Sequence, residues 1–185
     1  MMEQAAQKFK QLLADAHKIL IIQADNPDGD SLASALALEY ILAAAGKEPL
    51  LFCGVEIPTY LRYMEGCDRV MHELPHDFDL SIIVDTSAIS LLESLDKNGR
   101  LNWLRTKPCI IIDHHGSEPT IDFARLSINL PAVSAGEIMY RLCEPMGWSI
   151  SPQIAEYLAY SILSDSLGLT SESVSSETFK IMADL

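Results

Sequence analysis

Basic residues are scarce: 13 Lys and Arg stand against 26 Asp and Glu, a formal charge of −13. Binding to a phosphate backbone rests on clusters of Lys and Arg. The few present are scattered, which excludes a broad groove for long duplex nucleic acid, while much of the acidity suits a solvated surface. Long apolar runs are missing too. They reach five or six residues before a charge or turn, against the roughly 20 needed to cross a bilayer, so no membrane span is expected. Glu3, Lys8, Lys10, Asp15 and His17 interrupt the N-terminal stretch, which does not read as a signal peptide. The four cysteines, Cys53, Cys67, Cys109 and Cys143, lie far apart with no Cys-x-x-Cys pair. That excludes a zinc knuckle or disulfide frame and fits reduced thiols in a cytoplasm. There is no internal repeat, low-complexity tract or obvious linker. What remains is 185 residues, 49% of them hydrophobic, enough for one compact cytoplasmic domain with a real core.

The order of patterns predicts an α/β fold, a doubly wound and mostly parallel sheet with helices on both faces. Residues 4–16 read as an amphipathic helix, 18–23 as a strand, 31–45 as a helix opened by Ser31, and 48–53 as a strand. Residues 58–64 look helical and 69–72 read as a short strand. Residues 80–84 and 109–112 are near-continuous apolar runs, as expected of strands buried on both faces. Residues 124–130 could add an edge strand. Ser134 and Glu137 have capping-box spacing for a helix to about Met146, Pro152 begins another ending near Ser164, and Ser175 opens a last one. Alternating strands and helices imply right-handed crossovers and parallel strands.

Four segments set acids at the ends of such runs. Asp28 and Asp30 follow the first strand in Asn26-Pro27-Asp28-Gly29-Asp30, Asp85 follows Val84, Asp113-His114-His115 follows Ile112, and Asp165 follows the helical Leu163-Ser164. Each has an ordinary explanation alone: an Asp-Gly turn, an N-cap after a strand, a His that packs inward, a helix stop. An open parallel sheet, however, gathers the carboxyl ends of its strands along one edge. Carboxylates and imidazoles meeting there suit a divalent cation such as manganese, with magnesium or cobalt also compatible. Trp103 and Trp148 stand apart from basic residues and are expected to pack rather than stack on bases. His17, His72 and His76 have no ligand spacing, whereas Ser117 and Glu118 follow the paired histidines and are candidates to touch substrate.

In this order the segments resemble the motifs of the DHH phosphoesterase superfamily over nearly the whole chain. Ile112-Asp113-His114-His115-Gly116 is the most specific element, with Asn26–Asp30, Val84-Asp85-Thr86 and Ser164-Asp165-Ser166 with Gly168 as the other three. The helical Ser134–Glu137 segment makes the chain most similar to the bacterial oligoribonuclease and phosphoadenosine-phosphate phosphatase branch. The resemblance implies two manganese ions at the strand ends and hydrolysis of phosphate esters by an activated water. It implies Asp28 on one ion, Asp30 on the other and Asp85 bridging. His114 and Asp165 would complete the second ion's ligands, His115 would face the substrate phosphate, and Asp113 would orient the imidazoles. Substrates would be short oligonucleotides or small nucleotides.

Two departures qualify these expectations. The family's first motif starts with a metal-binding histidine four residues before its first Asp, and that position is Ala24 here. Alanine cannot coordinate, and Asp25 would point to the other side of an extended segment, so one firm and one weak metal site are expected. Second, nothing after Asp165 resembles the smaller Gly-rich, substrate-holding domain usual in that branch. Residues 1–185 are therefore expected to be a catalytic domain without that part, and oligomers could form through surface it would cover. The alternatives are an inorganic pyrophosphatase, which shares the four motifs, and a catalytically impaired metal- or nucleotide-binding relative.

Overall fold

The computed structural model describes residues 2–97 and 99–185. Five parallel strands form one sheet: β1 (Lys18–Ile22), β2 (Glu48–Phe52), β3 (Leu80–Val84), β4 (Cys109–Asp113) and β5 (Leu126–Asn129). Their spatial order is β2-β1-β3-β4-β5. The chain leaves β1 toward one edge and returns to build β3 on its other side, so the topology switches between β1 and β3, where open α/β sheets form a crevice at the strands' carboxyl ends. Ile22 pairs with Ile83, and Val84 with Ile112. The next residues of β1, β3 and β4 thus emerge side by side.

Side-chain alternation along the strands serves two cores. Ile19, Ile21, Ile82, Val84, Ile110 and Ile112 face α1 (Met2–Ala14), α2 (Gly29–Ala44), α5 (Ala135–Met146) and α6 (Pro152–Asp165). Leu20, Ile22, Ile83, Cys109 and Ile111 face α3 (Glu93–Lys97) and α4 (Arg100–Leu104). A last helix, α7 (Ser176–Asp184), packs Ile181 against Val133 and Ile162. The tryptophans pack as expected, Trp148 edge-on to Phe9 at 5.5 Å and Trp103 edge-on to Phe78 at 4.7 Å. No helix among the described residues is long and apolar enough to cross a membrane.

Several boundaries differ from expectation. Helix α2 opens at Gly29 rather than Ser31, because Asp28 is the N-cap and accepts a hydrogen bond from Ser31 N at 3.0 Å. Only Thr59–Leu61 of the anticipated 58–64 helix forms a single 3₁₀ turn, and the expected strand at 69–72 is reduced to one bridge between Met71 and Phe52. The short helices α3 and α4 carry the β3–β4 crossover and had no clear sequence signal, since five residues are too few for a period to show.

Helix α2 is buried nearly all round because it lies between the sheet and α6, and its small residues allow close approach. Two glycines set that spacing. A Cβ on Gly29 would lie 2.2 Å from Ser164 Oγ, and one on Gly136 would lie 2.1 Å from Ser161 Oγ. The N-termini of α2 and α5 can therefore press against the C-terminal half of α6. Ser161 is hydrogen-bonded and cannot swing away freely. Gly136→Ala is expected to destabilise the fold by about 1–3 kcal/mol through this overpacking, read as a lower urea midpoint with an unchanged slope; an unchanged midpoint would show that α6 has room to move.

Candidate metal centre

Asp30 lies in the first turn of α2 and is fully buried. A buried carboxylate needs donors, and it has three: Ser34 Oγ at 2.8 Å, Ser161 Oγ at 2.5 Å and Ala135 N at 2.8 Å. Ser161 Oγ also lies 2.9 Å from Ser134 Oγ and accepts from Gly136 N at 3.0 Å. Three elements, α2, α5 and α6, thereby fix one carboxylate. Burial first, then the Asp165 charge, raises its pKa against the hydrogen bonds of Ser161 and Ala135.

Asp85 directly follows β3 and adopts a positive φ of 61°, a left-handed conformation Asp tolerates better than most residues. Its N–H still donates to Ile112 O at 2.8 Å, so the ladder holds while the side chain turns into the crevice. Burial, then the neighbouring Asp30 charge, holds its pKa well above the usual carboxylate range, and Asp28 adds to the effect.

His114 joins these groups. Its Nε2 lies 3.1 Å from Asp165, 3.3 Å from Asp85 and 3.5 Å from Asp30. None of these oxygens is aligned as its hydrogen-bond acceptor, and Nε2 and Asp85 Oδ1 are buried without hydrogen-bond partners. Orphaned donor atoms converging from several elements fit a cation bound among them. Two overlapping groups place their ligand atoms within 4.8 Å of one another, Asp30–His114–Asp165 and Asp85–His114–His115.

The remaining expected residues sort differently. His115 is half exposed, and its Nδ1 is 2.7 Å from Asp113 Oδ1 and 3.9 Å from Asp85. Asp113 is fully buried and raises the His115 pKa. Burial alone would raise the Asp113 pKa, but the His115 hydrogen bond brings it below the ordinary value. Asp113 orients only His115; His114 Nδ1 instead meets the Ala132 carbonyl at 3.3 Å. Asp28 stands outside both groups, exposed and engaged in its cap. Ala24 is buried at 4% exposure. Asp25 does not fill that gap, because its carboxylate accepts from Ser94 N and Ser94 Oγ, each at 2.7 Å. Ser117 and Glu118 are exposed just beyond His115.

Sequence reasoning read Ser134 as a helix cap but missed its contact with Ser161, and missed Ser161 and the Ala132 carbonyl altogether. Ser34, four residues after Asp30, has the spacing of a helical pair, but nothing in sequence links Ser161 to an acid 131 residues earlier.

Residues 18–162 match the model of the DHH family, N-terminal domain, and the chain belongs to that family. It is 24% identical, over 91% of its length, to the probable manganese-dependent inorganic pyrophosphatase of Streptococcus mutans. Over 86% of its length it is 27% identical to the bifunctional oligoribonuclease and PAP phosphatase NrnA of Thermus thermophilus. The chain spans about half the length of these curated relatives, 54% and 47%. A solved exopolyphosphatase-related protein from Bacteroides fragilis shares the fold, with a TM-score of 0.87 at 24% identity over 98% of this chain and 56% of that one.

The charge arrangement has a measurable consequence. Burial would lower the His114 pKa, but Asp165, Asp85 and Asp30 push it from 6.5 up to about 11. A raised folded value contributes stability that is complete below the unfolded pKa and lost as pH rises through the folded one. The raised carboxyls of Asp30 and Asp85 act in the same direction. The melting temperature of the metal-free protein is expected to fall from about pH 6.5 to about pH 9, and manganese affinity to rise over that range as the ion competes with protons. A metal-free melting temperature that is flat or rising with pH would contradict this charge balance.

Proposed function

We propose that this chain is the catalytic domain of a divalent-metal-dependent phosphoesterase acting on short oligonucleotides or small nucleotides. The observation that carries the reading is the convergence of Asp30, Asp85 and Asp165 on His114 Nε2. Those four residues would hold the firmly bound ion. Asp28 and Asp85 would hold a second one weakly, because Ala24 offers no donor. A divalent ion at such a centre activates water and neutralises charge on the phosphoryl group.

The chain's own residues supply the rest. Asp113 favours the cationic form of His115 and occupies its Nδ1, leaving the other ring nitrogen of this half-exposed side chain for a phosphate oxygen. Asp30 keeps its orientation through its three donors, so it need not reorganise when a ligand arrives. With only 13 basic residues, attraction of an anionic substrate would fall to the metal centre. That favours small substrates over long strands. The family relationship and the manganese-dependent pyrophosphatase relative support a metal-dependent hydrolase, and NrnA supports the nucleotide class.

Hydrolysis of bis-p-nitrophenyl phosphate by the purified chain tests the reading. Manganese is expected to switch on turnover, Asp85→Ala to reduce it at least about a hundredfold, and Ala24→His to raise it. Turnover indifferent to manganese or surviving Asp85→Ala would overturn the assignment. Manganese bound without turnover would instead favour a binding relative, and pyrophosphate cleaved in preference to nucleotides a pyrophosphatase. Calorimetric titration with manganese is expected to show one tight and one weak site; two equal affinities would rule out the asymmetry ascribed to Ala24.

A further inference from the structure

The connection between β5 and α5 touches the metal centre through a single backbone atom. A carbonyl can only accept, so the 3.3 Å contact between His114 Nδ1 and Ala132 O means that Nδ1 carries a proton. That leaves Nε2 as the nitrogen directed at Asp30, Asp85 and Asp165. Ala132 itself has a small apolar side chain with no hydrogen-bonding group.

Its neighbours on both sides are pinned. Arg141 Nη1 donates to the Pro131 carbonyl at 3.2 Å, and Val133 N donates to Glu137 Oε2 at 3.2 Å. Glu137 and Arg141 are themselves paired, one turn apart on α5. Thr178 Oγ1 on α7 donates to the same Glu137 oxygen at 3.0 Å. Glu137 occupies the third position of α5, where a capping-box glutamate would reach back to its cap residue's N–H. Here Ser134 Oγ does accept from Glu137 N at 3.1 Å, but the carboxylate extends one residue further, to Val133. The helix start is therefore capped by Ser134, and the glutamate side chain is committed to the segment that carries Ala132.

Energetics sharpen the contrast. Glu137 is 1% exposed, and a buried ion pair contributes little net stability because desolvation offsets attraction. A pair placed for stability alone could be replaced by apolar side chains. A pair that holds two consecutive peptides, the second of which contains the ligand-orienting Ala132 carbonyl, has a positional use as well. Groups that orient a metal-bound histidine commonly change metal affinity 10- to 100-fold when removed.

We propose that Glu137 and Arg141 are positioning residues for His114: they clamp Pro131–Val133 so that the Ala132 carbonyl holds the ring with Nε2 toward the metal. The proposal rests on reading His114 as a metal ligand. It also connects α7, through Thr178, to the centre.

Arg141→Met removes the Pro131 arm of the clamp and the ion-pair partner of Glu137, at a partly exposed side chain, while keeping an apolar stem. Three quantities are read on the full chain: the solvent-protected His114 imidazole proton in metal-free protein by nuclear magnetic resonance, manganese affinity by calorimetry, and metal-free thermal stability. The variant is expected to fold, to lose the protected proton, and to bind manganese about tenfold more weakly. Glu137→Gln keeps one acceptor for Val133 and should lose less. Tyr140→Phe, which removes only the remote bond to Asp184, should change neither proton nor affinity. A protected proton and unchanged affinity in Arg141→Met would overturn the clamp. Should that variant fail to fold, wild-type values in Glu137→Gln would overturn it equally. If the wild-type chain binds no manganese, the functional reading fails, while the proton comparison still decides whether the pair positions His114.

Discussion

Three buried or half-buried carboxylates share one imidazole nitrogen, and the cost of keeping their charges together outside bulk water governs the rest of this molecule. Without a metal ion, protons must neutralise the group, which is why His114 is driven toward its cationic form and Asp30 and Asp85 toward their neutral forms. With a divalent ion those protons become unnecessary. The same cluster is therefore expensive as a piece of apolar structure and well suited as a binding site. Its expense explains the density of donors around Asp30, each of which lowers the cost of one buried oxygen.

The frame meets that constraint by bringing four separate elements to one point. Parallel strands deliver the ends of β1, β3 and β4 side by side, and the topological switch between β1 and β3 leaves the crevice open there. Helix α6 reaches the same point because Gly29 and Gly136 remove the methyl groups that would hold it away. Its Ser161 then steadies Asp30 while its last residue, Asp165, faces His114. Asp85 enters through a local left-handed turn, a modest strain of the kind folded proteins keep where a side chain must be aimed.

Within the DHH family, the centre proposed for this chain would combine a well-built half with a depleted one. Asp30, Asp85, His114 and Asp165 are supported by hydrogen bonds or burial, whereas Ala24 brings no ligand, Asp25 is committed to Ser94, and Asp28 spends one oxygen on its helix cap. The relatives named for pyrophosphate, oligoribonucleotide and PAP chemistry are similar to this chain at nearly equal levels, 24% and 27%. Their likeness therefore identifies the family at large rather than one of these chemistries.

Local pattern was enough to determine a great deal. Apolar runs of five residues bounded by turns specified the buried strands, and the acids at their ends marked the edge where ligands bind, because strand direction alone puts those ends together. The Asp-His-His element after β4 was legible for the same reason. Short-range competition was harder to read: Ser31 was expected to open α2, and only the actual turn shows the Asp28 carboxylate capping it by accepting from Ser31 N. Long-range geometry was not legible at all. The partnership of Asp30 with Ser161, the turning of Asp85, and the assignment of Asp113 to His115 while Ala132 takes His114 depend on how helices pack onto the sheet. The sequence by itself determined which chemistry-bearing residues reach one edge, since that follows from strand polarity. Tertiary structure decided which of them converge on one imidazole nitrogen and which cap or orient, since hydrogen bonds and burial depend on separations of a few tenths of an ångström that no spacing along the chain encodes.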